Sequence, residues 1–315
     1  MTQPTSIDMT FDTSLVDLHP PTNANTSFST TESDPKSDQS QITSAPAIQP
    51  TKPSAPTPVQ HIPTQVAYDQ WASVYDNDGN MLQATDDIEL GTRLPEFLSR
   101  ISSTSPHVSV LDLGCGTGRN TARLLSYDWP RDQRVSITGL DFSTRMLQVA
   151  ATKLSSLAKE KKSRVELRLD SCDCFPPTSS PAASPLPALS PPLQPVHAVI
   201  STLVLEHVPI IHFFCTLHAL LIPGGLALVT NMHADMGRVS QAGFVNDQGV
   251  KVRGQSYVYT VEETLDAARA AGFDVLGVCE REMRREDVES GRVGERGGKW
   301  VGVKVWYAVE LRRSV

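Results

Sequence analysis

Val108-Ser-Val-Leu-Asp112-Leu-Gly114-Cys-Gly116-Thr-Gly118-Arg-Asn-Thr121 is the stretch whose reading decides the fold of this chain. Its first residues, Val108 to Leu113, are short, apolar and β-branched, as in a strand buried on both faces. An acid and three glycines spaced two apart follow, and a helix-forming segment, Asn120 to Ser126, comes at once. A strand that ends in Asp112 therefore turns sharply into a helix N-terminus. Glycines there let a ligand lie against bare backbone. A dinucleotide fingerprint needs its third glycine three places after the second, and Arg119 occupies that place.

Outward from this turn, strand and helix signals alternate. Val135 to Leu140 predicts a second strand, ending at Asp141, and Ser143 can cap the helix that follows through Met146, Leu147, Ala150, Leu154 and Leu157. Val165 to Leu169 is a third strand, with Asp170 and Ser171 at its end. Residues 175–195 hold eight prolines and read as a long loop. Beyond it come a strand over Val196–Leu203, a helix over His212–Leu221 and a strand over Leu226–Asn231, with Pro223-Gly224-Gly225 turning between the last two. Thr260 to Glu263 is a capping-box pattern for a helix ending at Ala271-Gly272. Phe273–Cys279 and Trp300–Leu311 complete seven strands. This order predicts an α/β, Rossmann-like sheet, mostly parallel with an antiparallel last strand and helices on both faces. Ligands of such sheets collect at the carboxyl ends of the strands.

The first 63 residues differ in kind. They are rich in Ser, Thr and Pro, with ten prolines, no arginine and no apolar periodicity, and are expected to be a disordered tail. Residues 64–315 are then one domain. Its 29 acids and 26 basic residues leave it near neutrality, which disfavours a nucleic-acid partner. No stretch is long and apolar enough to span a bilayer, and no secretory leader is visible. Five scattered cysteines suit a reducing compartment, so a soluble, cytoplasmic protein is expected, the nucleus remaining open. Cys172 and Cys174 lack C-x-x-C spacing and predict no metal site.

Taken with Gly-Leu-Asp141-Phe142-Ser, Leu205-Glu-His207-Val-Pro209 and Leu221-Ile-Pro-Gly-Gly-Leu226, the glycine turn resembles the successive motifs of class I S-adenosylmethionine (SAM)-dependent methyltransferases. The small-molecule branch typified by ubiquinone and menaquinone methyltransferases is the most similar, over roughly residues 64–311. The resemblance implies SAM as cofactor and a small-molecule methyl acceptor, methylated at oxygen or nitrogen. It implies that Gly114, Cys115, Gly116 and Gly118 approach the methionine part of SAM, that Asp112 orients its ammonium end, and that Asp141 binds ribose. Asp170 and Ser171 are placed to receive the adenine amine, with Phe142 and Cys172 as apolar walls.

Tyr68-Asp-Gln-Trp71-Ala-Ser-Val-Tyr75 resembles the family's tyrosine-containing segment ahead of the sheet. Tyr68 and Tyr75 either contact the cofactor or pack on the core. His207 is the candidate general base, with His233, just past the fifth strand, a second candidate to face the acceptor. Residues 232–258, with Met232, Met236, Phe244, Tyr257 and Tyr259, form either a substrate lid or a plain cover. Some quinone O-methyltransferases of this branch hold a divalent metal with a glutamate where this chain has Leu203, so no metal is expected. The alternatives are a tRNA or protein methyltransferase, an NAD-dependent oxidoreductase, and a non-catalytic SAM-binding scaffold. The oligomeric state is not legible.

Overall fold

The structure is a computed structural model that describes residues 59–102, 105–161, 164–176, 186–246 and 248–315. Residues 1–58 of the tail and 177–185 of the Pro-rich loop lie outside them. In chain order the strands are β1 (Val59–His61), β2 (His107–Leu113), β3 (Arg134–Asp141), β4 (Val165–Ser171), β5 (Val196–Thr202), β6 (Leu221–Met232), β7 (Gly243–Val245), β8 (Lys251–Arg253), β9 (Phe273–Glu282) and β10 (Lys304–Arg313). The helices are α1 (Thr64–Trp71), α2 (Met81–Ser102), α3 (Arg119–Ser126), α4 (Thr144–Lys161), α5 (Ile210–Leu220), α6 (Ala234–Gly237), α7 (Val261–Ala270) and α8 (Arg285–Glu289).

Seven strands form one sheet in the order β4-β3-β2-β5-β6-β10-β9. Strands β2 to β6 pair in parallel, and β10 runs antiparallel to both β6 and β9. The order reverses between β2 and β5, so the cleft opens where the glycine turn leaves β2. Side chains alternate between two buried layers. Val108 and Val110 of β2, with Trp306 and Ala308 of β10, pack under α2, α3 and α4. Leu111 and Leu113, with Tyr307 and Val309, pack under α5 and α7. Burial of both faces explains why these strands read as continuous apolar runs.

Several boundaries move. Strand β6 begins at Leu221, because Val196 pairs with Leu221 and Ala198 with Leu226, so Pro223-Gly224-Gly225 bulges within the strand instead of preceding it. The last strand, expected from Trp300, begins at Lys304, because Glu295–Trp300 forms a short 3-10 helix ahead of it. Val59–His61, expected in the tail, pairs in parallel with β8, and β8 pairs antiparallel with β7. The small sheet and α1 share a core of Ala67, Trp71, Phe244 and Val252 with Met146 of α4, Trp71 stacking on Phe244 at 5.4 Å. The segment ahead of the sheet and the 232–258 insertion thus build one cap.

Helix α2 has no counterpart in the sequence expectations, and it positions the site. Its Leu90, Leu94, Phe97, Leu98 and Ile101 are buried at helical spacing. Its Asp86, fully buried, accepts from Thr230 Oγ1 at 2.7 Å, Trp306 Nε1 at 2.8 Å and an Arg119 guanidinium nitrogen at 2.5 Å. Arg119 also pairs with Asp87 at 2.7 Å. Helix α3, and with it the glycine turn, is therefore tied to α2 by a satisfied buried charge cluster. Among the described residues, no helix is long and apolar enough to cross a membrane.

Candidate active site

Each glycine of the turn has a separate reason to lack a side chain. All three have positive φ: 77° at Gly114, 53° at Gly116 and 76° at Gly118. A Cβ on Gly114 would lie 2.5 Å from Val204 Cγ2, and one on Gly118 would lie 2.9 Å from Leu154 Cδ1. Gly114 and Gly118 are bare so that β5 and α4 can pack against the turn. A Cβ on Gly116 would meet nothing within 4 Å. Gly116 is thus the position where backbone borders open space.

The turn's own amide groups are already spent. Gly114 and Cys115 donate to the Leu140 carbonyl at 2.8 and 2.9 Å, and Gly118 donates to Cys115 at 2.9 Å. Gly116 donates to Asp141 Oδ2 at 2.8 Å, and the Ser143 amide donates to Oδ1 at 2.8 Å. Each carboxylate oxygen keeps an open lone-pair site, so Asp141 can accept two further donors side by side. Burial pushes its carboxyl up from 3.8 to about 6, against the pull of those amides.

Asp112, expected at the ammonium end of SAM, lies behind the glycine turn. It is 1% exposed, does not line the cleft, and accepts from Thr121 Oγ1 at 2.6 Å. The carboxylate thereby ties the end of β2 to a side chain in the first turn of α3. Burial raises this carboxyl to about 6 as well.

The cleft is lined by Tyr68, Tyr75, Gly114, Gly116, Asp141, Phe142, Met146, Asp173, Cys174, Phe175, Thr202, Leu203, Val204, His207, Val208 and Pro209. Seven of these were singled out from sequence. Cys115, Gly118, Asp170, Ser171 and Cys172 are not among them. Cys115 is buried behind the turn against Gly139. Asp170 pairs with Arg168, two residues away on the same face of the edge strand, and does not line the cleft. The acid that reaches the wall is Asp173, where the chain leaves β4; its Oδ1 accepts from the Phe175 amide at 3.0 Å and stops the chain in a turn. Leu203, at the end of β5, has φ 58°, a conformation costly for a bulky residue and held here beside the cleft.

His207 is engaged at both nitrogens. Nδ1 lies 2.9 Å from the Gln255 carbonyl, which only accepts, so Nδ1 carries the proton. In the neutral ring Nε2 then receives the Tyr68 hydroxyl at 2.7 Å. Burial holds the Tyr68 phenol well above its usual range, so it stays a donor. The chain Tyr68–His207–Gln255 joins α1, the 3-10 turn after β5 and the segment after β8, closing the cap on the cleft. His233 is elsewhere: its Nδ1 caps α6 by accepting from the Asp235 amide, and its Nε2 meets Glu280 at 2.8 Å. Met232 and Met236 are buried in the main core and Phe244 in the cap core, while Tyr257 and Tyr259 stack on each other at 5.7 Å. None of these lines the cleft. Among the described residues, no three His, Cys, Asp or Glu side chains converge to hold a metal ion.

A family model described as a methyltransferase domain matches residues 111–227, from the glycine turn to β6. A protein of Emericella nidulans, "Uncharacterized methyltransferase AN0656", is 40% identical over 271 residues, which span 80% of this chain and 91% of that protein. The chain belongs to the methyltransferase family. Among solved structures, this methyltransferase is similar to the [4+2]-cyclase SpnF, with a TM-score of 0.46 and 21% identity over 82% of this chain and 99% of that one. It is also similar to the DhpI–SAH complex structure, with a TM-score of 0.45 and 20% identity over 79% and 95% of the two chains. The cleft fits SAM as a methyl donor. Gly116 leaves open space above bare backbone, Asp141 keeps two lone-pair sites beside it, and aromatic and sulfur side chains line the wall beyond.

Proposed function

We propose that this methyltransferase moves a methyl group from SAM to oxygen or nitrogen of a small molecule. One observation carries the reading: the open carboxylate of Asp141 beside Gly116 lies in a cleft that α1 and the small sheet cap. Asp141 would receive the two ribose hydroxyls. Gly114 and Gly116 would border the methionine part. Phe142, Met146 and Phe175 would enclose the adenine ring, and Asp173, in place of Asp170, would accept from its amine. Bound there, SAM supplies an electrophilic methyl group on a sulfonium.

The protein's part is alignment and exclusion of water. Tyr68 and His207 hold the cap down over the reacting end, with His207 positioning the phenol while its Nε2 is occupied. A capped cleft with apolar walls favours a small acceptor over an RNA or protein chain, and the near-neutral charge of residues 64–315 points the same way. Arg119, in the place of the third glycine of a dinucleotide turn, counts against an NAD pyrophosphate. The test is incubation with methyl-labelled SAM and a cell extract separated into metabolites, RNA and protein. Label in the metabolite fraction is expected; label confined to RNA or protein would refute the small-molecule reading.

A further inference from the structure

Where the chain leaves β4, two free thiols stand two residues apart, Cys172 and Cys174. The Cys172 amide donates to the Asp141 carbonyl at 3.0 Å, which fixes the pair beside the acid assigned to ribose. Cys174 is only 4% exposed and lines the cleft, whereas Cys172 is half-buried and does not. The Cys174 thiol points back along the chain, its Sγ 3.7 Å from the Cys172 carbonyl oxygen. It also hydrogen-bonds the Cys172 sulfur, and this contact holds the Cys172 thiol below its usual range. The same contact, with burial, pushes the Cys174 thiol well above its own. Cys172 is therefore the sulfur that ionises and that solvent reaches, and Cys174 is its protonated partner on the cleft side. Asp173 and Phe175, which flank Cys174, line the cleft too, joined by the bond from the Phe175 amide to Asp173 Oδ1.

We propose that Cys172 and Cys174 form a redox switch on donor binding: a hydroperoxide joins them in a disulfide, and the cleft then loses its hold on SAM. The inference rests on the SAM-site reading above. The Cys172 thiolate attacks one peroxide oxygen, the O–O bond breaks, and the hydroxide that leaves takes up a proton as water. The Cys174 sulfur, giving up its proton, then attacks the sulfenic sulfur of Cys172. The S–O bond breaks, a second water leaves and the S–S bond forms, so both sulfurs are oxidised and the peroxide is reduced. A disulfide needs Cα atoms about 4.4–6.8 Å apart and Cβ atoms about 3.5–4.5 Å apart. Two residues of extended chain span about 6.6 Å, so the bond draws residues 172–174 into a tighter turn. Cys174 then leaves the cleft wall, and Asp173 turns with it. A bound donor covers Cys174, so donor binding and oxidation oppose each other.

The test treats the full-length protein with hydrogen peroxide and reads its mass beside calorimetric titration with S-adenosylhomocysteine (SAH). Treatment is expected to remove two hydrogen atoms from the mass, with fragmentation placing the bridge between Cys172 and Cys174. The Kd for SAH should rise about tenfold or more, and dithiothreitol should restore both mass and affinity. Saturation with SAH beforehand should slow the mass loss at least about threefold. Cys172→Ser should bind SAH within about threefold of untreated wild type and keep that affinity after peroxide. No bridge under peroxide, a bridge elsewhere in the chain, or a bridge that leaves SAH affinity unchanged would each overturn the proposal. So would an equal loss of affinity on peroxide treatment of Cys172→Ser. Should that variant fail to fold, the wild-type bridge, its reversal and its slowing by SAH decide the matter alone. Failure of untreated wild type to bind SAH would instead defeat the methyl-transfer reading.

Discussion

Replacing Asp141 by Asn tests the assigned donor site with a magnitude drawn from its geometry. The carboxylate holds the Gly116 and Ser143 amides at 2.8 Å each and keeps two lone-pair sites for ribose hydroxyls. Asn keeps one acceptor oxygen and sets an NH2 group where the second was. Two hydrogen bonds to a charged group, at roughly 1.5–3 kcal/mol each, then weaken or vanish, which raises the Kd for SAH about 10²–10⁴-fold. One amide also loses its acceptor, a stability cost of about 1–3 kcal/mol. Asp112→Asn is the control, because that acid is as deeply buried and its carboxyl is likewise pushed up to about 6, but it faces Thr121 and not the cleft. Calorimetric titration with SAH, beside thermal melts, should show both variants destabilised and only Asp141→Asn deficient in binding. A folded Asp141→Asn protein that binds SAH within about threefold of wild type would refute the ribose assignment.

The same carboxyl gives a pH signature. Its pKa in the ligand-free fold is raised to about 6, and ribose hydroxyls favour the ionised form, so SAH affinity should fall about tenfold from pH 8 to pH 5 and lose that dependence in Asp141→Asn. Asp78, Asp112 and Asp141 all have carboxyls raised from 3.8 to about 6, so the folded state holds more protons than the unfolded chain between those values. Their stabilisation is therefore fullest below about pH 4 and lost as pH rises through 6, which melts of the ligand-free protein would show. Gly116→Ala should cost about 1–2 kcal/mol and abolish SAH binding, whereas Gly114→Ala, driven into Val204, should be destabilised further; equal stability in the two would contradict the packing account. Tyr68→Phe should loosen the cap by about 0.5–1.5 kcal/mol, seen as faster hydrogen exchange in residues 64–71 and 251–257. Asp86→Asn leaves Arg119 without its buried partner and should cost about 3–5 kcal/mol by denaturant melts.

The strands were legible in the sequence because both faces of the central sheet are buried, so Val108 to Leu113 and Val135 to Leu140 read as unbroken apolar runs. Asp141 and the glycine turn were legible for a related reason: a strand end that turns on three positive φ angles and is held by a carboxylate fixes residue type at short spacing. Helix α2 also carried its signal, Leu90, Leu94, Phe97, Leu98 and Ile101 at three-four spacing, which the tyrosine-rich segment before it overshadowed. What the sequence could not order was the cap. Pairing of Val59–His61 with Lys251–Arg253 joins residues almost 200 positions apart, and no local pattern encodes such a partnership. The shift from Asp170 to Asp173 has a similar origin. Strand periodicity shows that a chain leaves the sheet, but the turn it then makes sets which acid faces inward.

Titration of the full-length protein with SAM and, separately, with NAD by calorimetry tests the central claim most directly. One SAM bound per chain and no heat from NAD is the predicted result. Saturable NAD binding with no SAM binding would contradict the account.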